Sequence, residues 1–257
     1  MMSLEHTRFL WNNLFDDATL DASTEATDYP VENIRNEWPT FAWRATGKAN
    51  EWVSANLGTT SPGVQALVIK GHNFSTGASI RIQADDDPAY GSLDMELILP
   101  IVAETMTCFW STPQNFRYWR ITIADAGNTD TYVKVGRIFL GSYFAPAYDV
   151  SSYSMQITDP SAIGLSVGGQ LSTAGRTHYK TWTYQFAYVK ESDKETFEDI
   201  FAEVGFTKPY FIVENIYDSG STRYVRNTSE FGFNFLFYDT AGVGFAYDMD
   251  FSVEEAR

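Results

Sequence analysis

One cysteine in 257 residues, Cys108, excludes an internal disulfide and any cysteine-rich zinc centre; its MTCFW setting reads as buried packing. Histidine is nearly as scarce. His6, His72 and His178 lie far apart, none stands in an HExxH-type spacing, and a nucleophilic triad would need remote Ser, His and acid residues to converge. No GxGxxG or GxxxxGKS/T segment occurs, so nucleotide binding has no local support. Lys and Arg number 18 against 33 Asp and Glu, a net charge of −15, which argues against stable nucleic-acid binding because phosphates call for clustered cations. No apolar run is long enough to span a bilayer, and no membrane insertion is expected. The opening MMSLEHTRFLWNNLFDD places charges in every apolar stretch and has no small-residue cleavage site, so folding in the cytosol is expected rather than secretion.

What the chain has in quantity is aromatic surface: nineteen Phe, fifteen Tyr and seven Trp, a composition suited to sheets and interfaces. Its length favours two domains. From about residue 29 to 141, short apolar stretches alternate with turn residues, the pattern of an all-β sandwich. Strands are expected at Glu51–Leu57, Val64–Lys70, Ser79–Ala84, Phe116–Ala124 and Tyr132–Leu140, the last two as antiparallel neighbours. The segment SYFAPAYDVSS reads as an exit, giving domains 1–147 and 148–257 with the boundary near Ala147. Beyond it, Met155, Ile157, Leu165 and Val167 suggest strands around Pro160, followed by a Gly-rich GGQLSTAG loop. Lys180–Tyr188 then alternates strictly, with Trp182, Tyr184, Phe186 and Tyr188 on one face.

One helix is expected. Ser192 with Glu195 makes a capping box, Phe197, Ile200, Phe201 and Val204 recur at helical spacing, and Gly205 stops the run. Strands follow at Tyr210–Glu214, Arg223–Arg226, Glu230–Tyr238 and Val243–Val253, the last two joined by DTAGVG as a hairpin. The fold class is therefore mainly β: an N-terminal jelly-roll β-sandwich, then an α+β domain with one amphipathic helix packed on an antiparallel sheet.

Three stretches of the first half, YPVENIRNEWPTFAWRATG, EWVSANLG with VQALVIKGHNFSTGASIRIQA, and FRYWRITIADAG with VKVGRIFLG, together resemble a discoidin (coagulation-factor type C) module over residues 18–144. The resemblance implies an eight-stranded, galactose-binding-like jelly roll. The cysteine pair that often links the ends of such modules is missing. The second half, with SDKETFEDIF, KPYFIVEN and a closing aromatic hairpin, resembles minor and distal tail proteins of siphophage-like bacteriophages. That resemblance implies a structural subunit of a tail tip or baseplate in the virion tail, assembled in the host cytoplasm. Its partners would be copies of itself in a symmetric ring and other tail proteins, with the sandwich as decoration. No catalytic residue and no cofactor is expected.

The candidate sites follow. By resemblance the loop of Trp38, Phe41, Trp43 and Arg44 falls near the rim where discoidin modules take ligands; aromatic faces stack on sugar rings and Arg or Asn fixes hydroxyls, so Trp43, Arg44, His72 and Asn73 form a candidate site for a host-surface glycan. Against this stand Trp and Phe as core, and His72 as support for the KGHN turn. Asp85, Asp86 and Asp87 form an acidic loop in which Asp85 and Asp87 are candidate cation ligands, although three consecutive carboxylates cannot all face one ion. In the second half, Phe231, Phe233, Phe235 and Phe237 share one face and suit a core under the helix. Phe231, Phe233, Tyr238 and Phe245 are the candidate subunit contacts, with sheet edges as the place where a ring would close.

Overall fold

The computed structural model describes residues 7–58, 63–102, 104–165, 168–239 and 244–256. They divide into two compact units: Arg8–Phe144 with Ile212–Thr222, and Ala145–Phe211 with Thr7 and Arg223–Ala256.

The first unit begins with β1 (Arg8–Leu10), a single helical turn α1 (Leu14–Asp17) and β2 (Thr19–Ala22). After a 3-10 turn at Val31–Arg35 come β3 (Trp43–Arg44), β4 (Glu51–Asn56), β5 (Val64–Lys70), β6 (Ser79–Asp85) and β7 (Met95–Leu99). Then follow β8 (Thr105–Gln114), β9 (Tyr118–Ala124), β10 (Lys134–Val135) and β11 (Arg137–Gly141). Two antiparallel sheets result, β2–β4–β9–β6–β7 and β11–β5–β8, eight strands in all; a ribbon of β3 with β10 stands apart. Each sheet turns one apolar face inward, as the period of two requires, so Val53, Ile80, Ile82, Ile121 and Ile123 share one core with Leu67, Ile69, Met106, Ile138 and Leu140. This is the expected jelly-roll sandwich. The pairing of its last strands was misread. Residues 132–140 form two strands broken at Gly136, and β9 lies between β4 and β6 while β11 pairs with β5 in the other sheet. Glycine is required at the break: a Cβ on Gly136 would overlap the Pro39 carbonyl.

After Phe144 the chain forms β12 (Ser152–Thr158), β13 (Ala162–Leu165), β14 (Leu171–Ala174), β15 (Tyr179–Lys190), α2 (Glu191–Val204), β16 (Tyr210–Val213), β17 (Thr222–Asn227), β18 (Gly232–Asp239) and β19 (Gly244–Glu255), all in the second unit except Ile212–Val213 of β16 and Thr222 of β17. The long β19 pairs with β15 along one side, and with β18 and then β17 along the other; β12 extends the sheet beyond β15. Leu171–Ala174, expected in a loop, pairs with β13 as a separate ribbon. Val167 and residues 240–243 of DTAGVG lie outside the described residues; the strands that flank the latter pair antiparallel from Asp239 to Gly244.

Helix α2 buries Phe197, Ile200 and Val204. Ring contacts of Phe197 with Phe186 at 5.5 Å and Phe231 at 5.9 Å, and of Phe231 with Phe251 at 4.7 Å, join it to the sheet. The helix starts at Glu191 without a side-chain cap, not at Ser192, because β15 runs directly into it from Lys190. Ser192 lies within the first turn and its carbonyl accepts from Thr196 Oγ1 at 3.1 Å. Gly205 closes the far end at φ +49°, donating its N–H to the Phe201 carbonyl.

Candidate functional site

The rim of the sandwich is organised around β3. Pairing with β10 sets Arg44 opposite Lys134 and Trp43 opposite Val135, so the two neighbours point to opposite sides. Trp43 points inward. It is completely buried and its Nε1–H donates to the Thr24 carbonyl at 3.0 Å. It is therefore a core residue, and its indole face is closed to a sugar ring, which corrects its assignment to a binding rim.

Arg44 points the other way. Its guanidinium carbon lies 3.4 Å from the Tyr132 ring centroid and 5.5 Å from that of Tyr29. Its Nε is buried with no hydrogen-bond acceptor among the described residues. The loop leading into Arg44 displays Trp38 and Phe41, 52% and 56% exposed, and Tyr29 is 41% exposed. That loop is not loose: Val31 and Ile34 anchor it in the core, Asn33 Nδ2 holds the Ala42 carbonyl at 3.1 Å, Asn36 Oδ1 accepts the Trp38 N–H at 2.9 Å, and Phe41 N–H closes a turn on the Trp38 carbonyl at 3.0 Å. Exposed aromatics on a fixed loop can stack on a flat apolar face, and the outer N–H groups of a guanidinium can donate to a hydroxyl.

His72 and Asn73 do different work. The Nε2 of His72 is 2.9 Å from the Val102 carbonyl and its Nδ1 accepts the Phe74 N–H at 3.2 Å, which fixes the neutral Nε2–H tautomer. Burial pushes its pKa below the usual 6.5, and the ring stacks on Phe74. Asn73 donates to Asp130 Oδ2 at 2.8 Å and to the Tyr132 carbonyl at 3.1 Å, and accepts the Lys134 N–H at 2.8 Å. It positions the strand that presents Tyr132 and Lys134. Both residues are committed within the fold, so of the four rim candidates Arg44 alone keeps a donor without a partner among the described residues, and Trp38, Phe41 and Tyr29 are exposed aromatics of the segment before it.

In the acidic loop the carboxylates accept from nearby backbone. Asp85 Oδ1 takes the Asp87 N–H at 2.9 Å, Asp86 Oδ1 the Arg117 N–H at 3.0 Å, and Asp87 Oδ1 the Ala89 N–H at 3.0 Å. Asp85 and Asp87 are thereby turn-formers, and no group of three or more His, Cys, Asp or Glu among the described residues is arranged to hold a metal ion. His178 lies 3.2 Å from Asp159 at an exposed position, and His6 lies outside the described residues. No helix among the described residues is long and apolar enough to cross a membrane.

The aromatic hairpin of the second unit divides along its length. Phe231 and Phe233 sit against Phe197 of the helix, whereas Phe235, Phe237, Tyr238 and Phe245 are exposed. The core under the helix was expected to take the whole ladder. It takes only the first half: Phe235 is exposed while still in register with Phe233, and a bulge shifts the register only beyond it, before Phe237. Of the four candidate subunit contacts, Tyr238 and Phe245 are open and pair with each other at 5.1 Å.

No family model and no curated protein matches the chain. Solved structures similar to it include a fucose-binding module of Streptococcus pneumoniae (12% identity, TM-score 0.43, 52% of this chain and 99% of that one). Another is the family 32 carbohydrate-binding module of C. perfringens NanJ in complex with galactose (15% identity, TM-score 0.41, 54% and 99%). A third is chitosan-binding module 1 of a Paenibacillus sp. IK-5 chitosanase/glucanase (15% identity, TM-score 0.42, 51% and 99%).

Proposed function

We propose that the sandwich is a non-catalytic saccharide-binding module whose site is the β3 rim: Trp38 and Phe41 stack on sugar faces and Arg44 donates to ring hydroxyls. The observation that carries this reading is the set of exposed aromatics, Trp38, Phe41 and Tyr29, on a hydrogen-bonded loop that leads into Arg44, whose guanidinium lies 5.5 Å from the Tyr29 ring centroid. The test is a glycan array followed by titration calorimetry. Binding is expected for the native chain, with affinity reduced about tenfold or more in Phe41→Ala and in Arg44→Lys, which keeps the charge but loses the planar fork. An array without signal removes the proposal.

A second reading is favoured by the exposed, apolar strands of the second unit. They suit a structural subunit of a bacteriophage tail tip or baseplate that joins copies of itself in a ring and contacts other tail proteins, with the sandwich facing a host glycan. The two readings are compatible. A ring in negative-stain images supports this one, and a persistent monomer opposes it.

A further inference from the structure

β12 is an edge strand on the far side of β15. Its Tyr153, Met155 and Ile157 share the face that carries Trp182 and Tyr184 on β15, so they continue the buried face of the sheet. Yet all three are exposed. The β13–β14 ribbon sets Ile163, Leu165 and Leu171 on one face, Leu165 directly opposite Leu171. These too stand in solvent. The six side chains are between 50% and 75% exposed. Two-stranded ribbons with an uncovered apolar face are marginal on their own.

Charge makes the patch more unusual. No Asp, Glu, Lys or Arg occurs in residues 152–158 or 160–175, in a chain with a net charge of −15. Edge strands of soluble proteins ordinarily carry a charge, a proline or a bulge that stops another chain from pairing with them. β12 carries none of these. Two identical chains of high like charge repel each other least where their facing surfaces are uncharged, and apart from Asp159 this stretch is uncharged.

We propose that a second copy of this chain docks here, its own neutral strands covering β12 and the β13–β14 ribbon. A stable interface buries about 800 Å² per partner, which calls for cover over β12 and the ribbon together rather than over either alone. The inference rests on the assembly reading above and is independent of saccharide binding.

The test is sedimentation velocity of the full chain from low to high micromolar concentration, for the native sequence and for Ile157→Lys and Leu165→Lys. Both substitutions fall on exposed positions. Self-association is expected in the native chain, weakened on the order of tenfold by either substitution. Hydrogen exchange supplies a reading without mutation: β12 amides should slow as concentration rises. Association undiminished in both variants, with unchanged β12 exchange, overturns this contact but leaves the assembly reading with another surface. A monomer at every concentration overturns both.

Discussion

Trp43 and Trp38 lie five residues apart in one rim segment, and exchanging their expected roles gives a sharp experiment. Trp43 is fully enclosed by the sandwich core and donates to the Thr24 carbonyl at 3.0 Å. Truncation of such a residue to Ala costs about 3–5 kcal/mol, from lost transfer free energy and the cavity left behind. With a denaturant slope of about 1–3 kcal/mol/M in urea, the midpoint of the sandwich transition should fall by roughly 2 M. Trp38 is half in solvent, and its truncation should stay within about 0.5 kcal/mol of the native stability. Binding should respond in the opposite sense: Trp38→Ala loses saccharide affinity, while Trp43→Ala keeps it below its own unfolding transition. Urea unfolding followed by fluorescence, together with calorimetry on the same preparations, measures both. A Trp43→Ala chain of native stability that no longer binds would refute the assignment of Trp43 to the core and of Trp38 to the platform.

Two further outcomes follow from the same region. Gly136→Ala forces a methyl against the Pro39 carbonyl, so about 1–3 kcal/mol of overpacking is expected, with reduced saccharide affinity because Pro39 belongs to the loop that bears Trp38 and Phe41; unchanged melting and binding would contradict the close approach. His72 supplies a pH dependence. Burial holds its pKa below 6.5, so the folded state takes up a proton less readily than the unfolded one; its contribution is complete above pH 6.5 and is lost as pH falls through the lower folded value. Protonation also sets an Nδ1–H against the Phe74 N–H. Denaturant titrations between pH 7.5 and about 5 should therefore show the native chain losing more stability than His72→Gln, by no more than about 1.4 kcal/mol per pH unit. Equal losses in the two chains would rule out His72 as the source.

Strands with a run of apolar or strictly alternating residues were legible: Val64–Lys70 matches β5 at both ends, and the Trp182–Phe186 alternation lies in β15 with all three aromatics buried. β7 and β8 went unread because their patterns are weak at the surface: β7 leaves Leu97 and Ile98 exposed, and β8 carries Pro113 on the edge of its sheet. The error in the Phe231–Phe237 ladder has a physical root: alternation predicts which side chains share a face, but not how far the covering element reaches, and a bulge between Phe235 and Phe237 changes the register within the strand itself.

The rim was harder to read for a related reason. A two-residue strand such as β3 has no periodicity, so nothing local says which of Trp43 and Arg44 faces the core. That is decided ninety residues away, by the pairing with Lys134 and Val135 and by Asn73, whose Oδ1 accepts the Lys134 N–H. Asn73 and His72 share their short segment with that machinery, which is why their polarity was read as a site when it serves the scaffold. The self-docking surface had a cleaner signature, an absence. Residues 152–158 and 160–175 carry no charge in a chain where charged residues make up 20%, and such a gap on an edge strand and the ribbon that follows it points to contact with a chain of like charge before any burial is known.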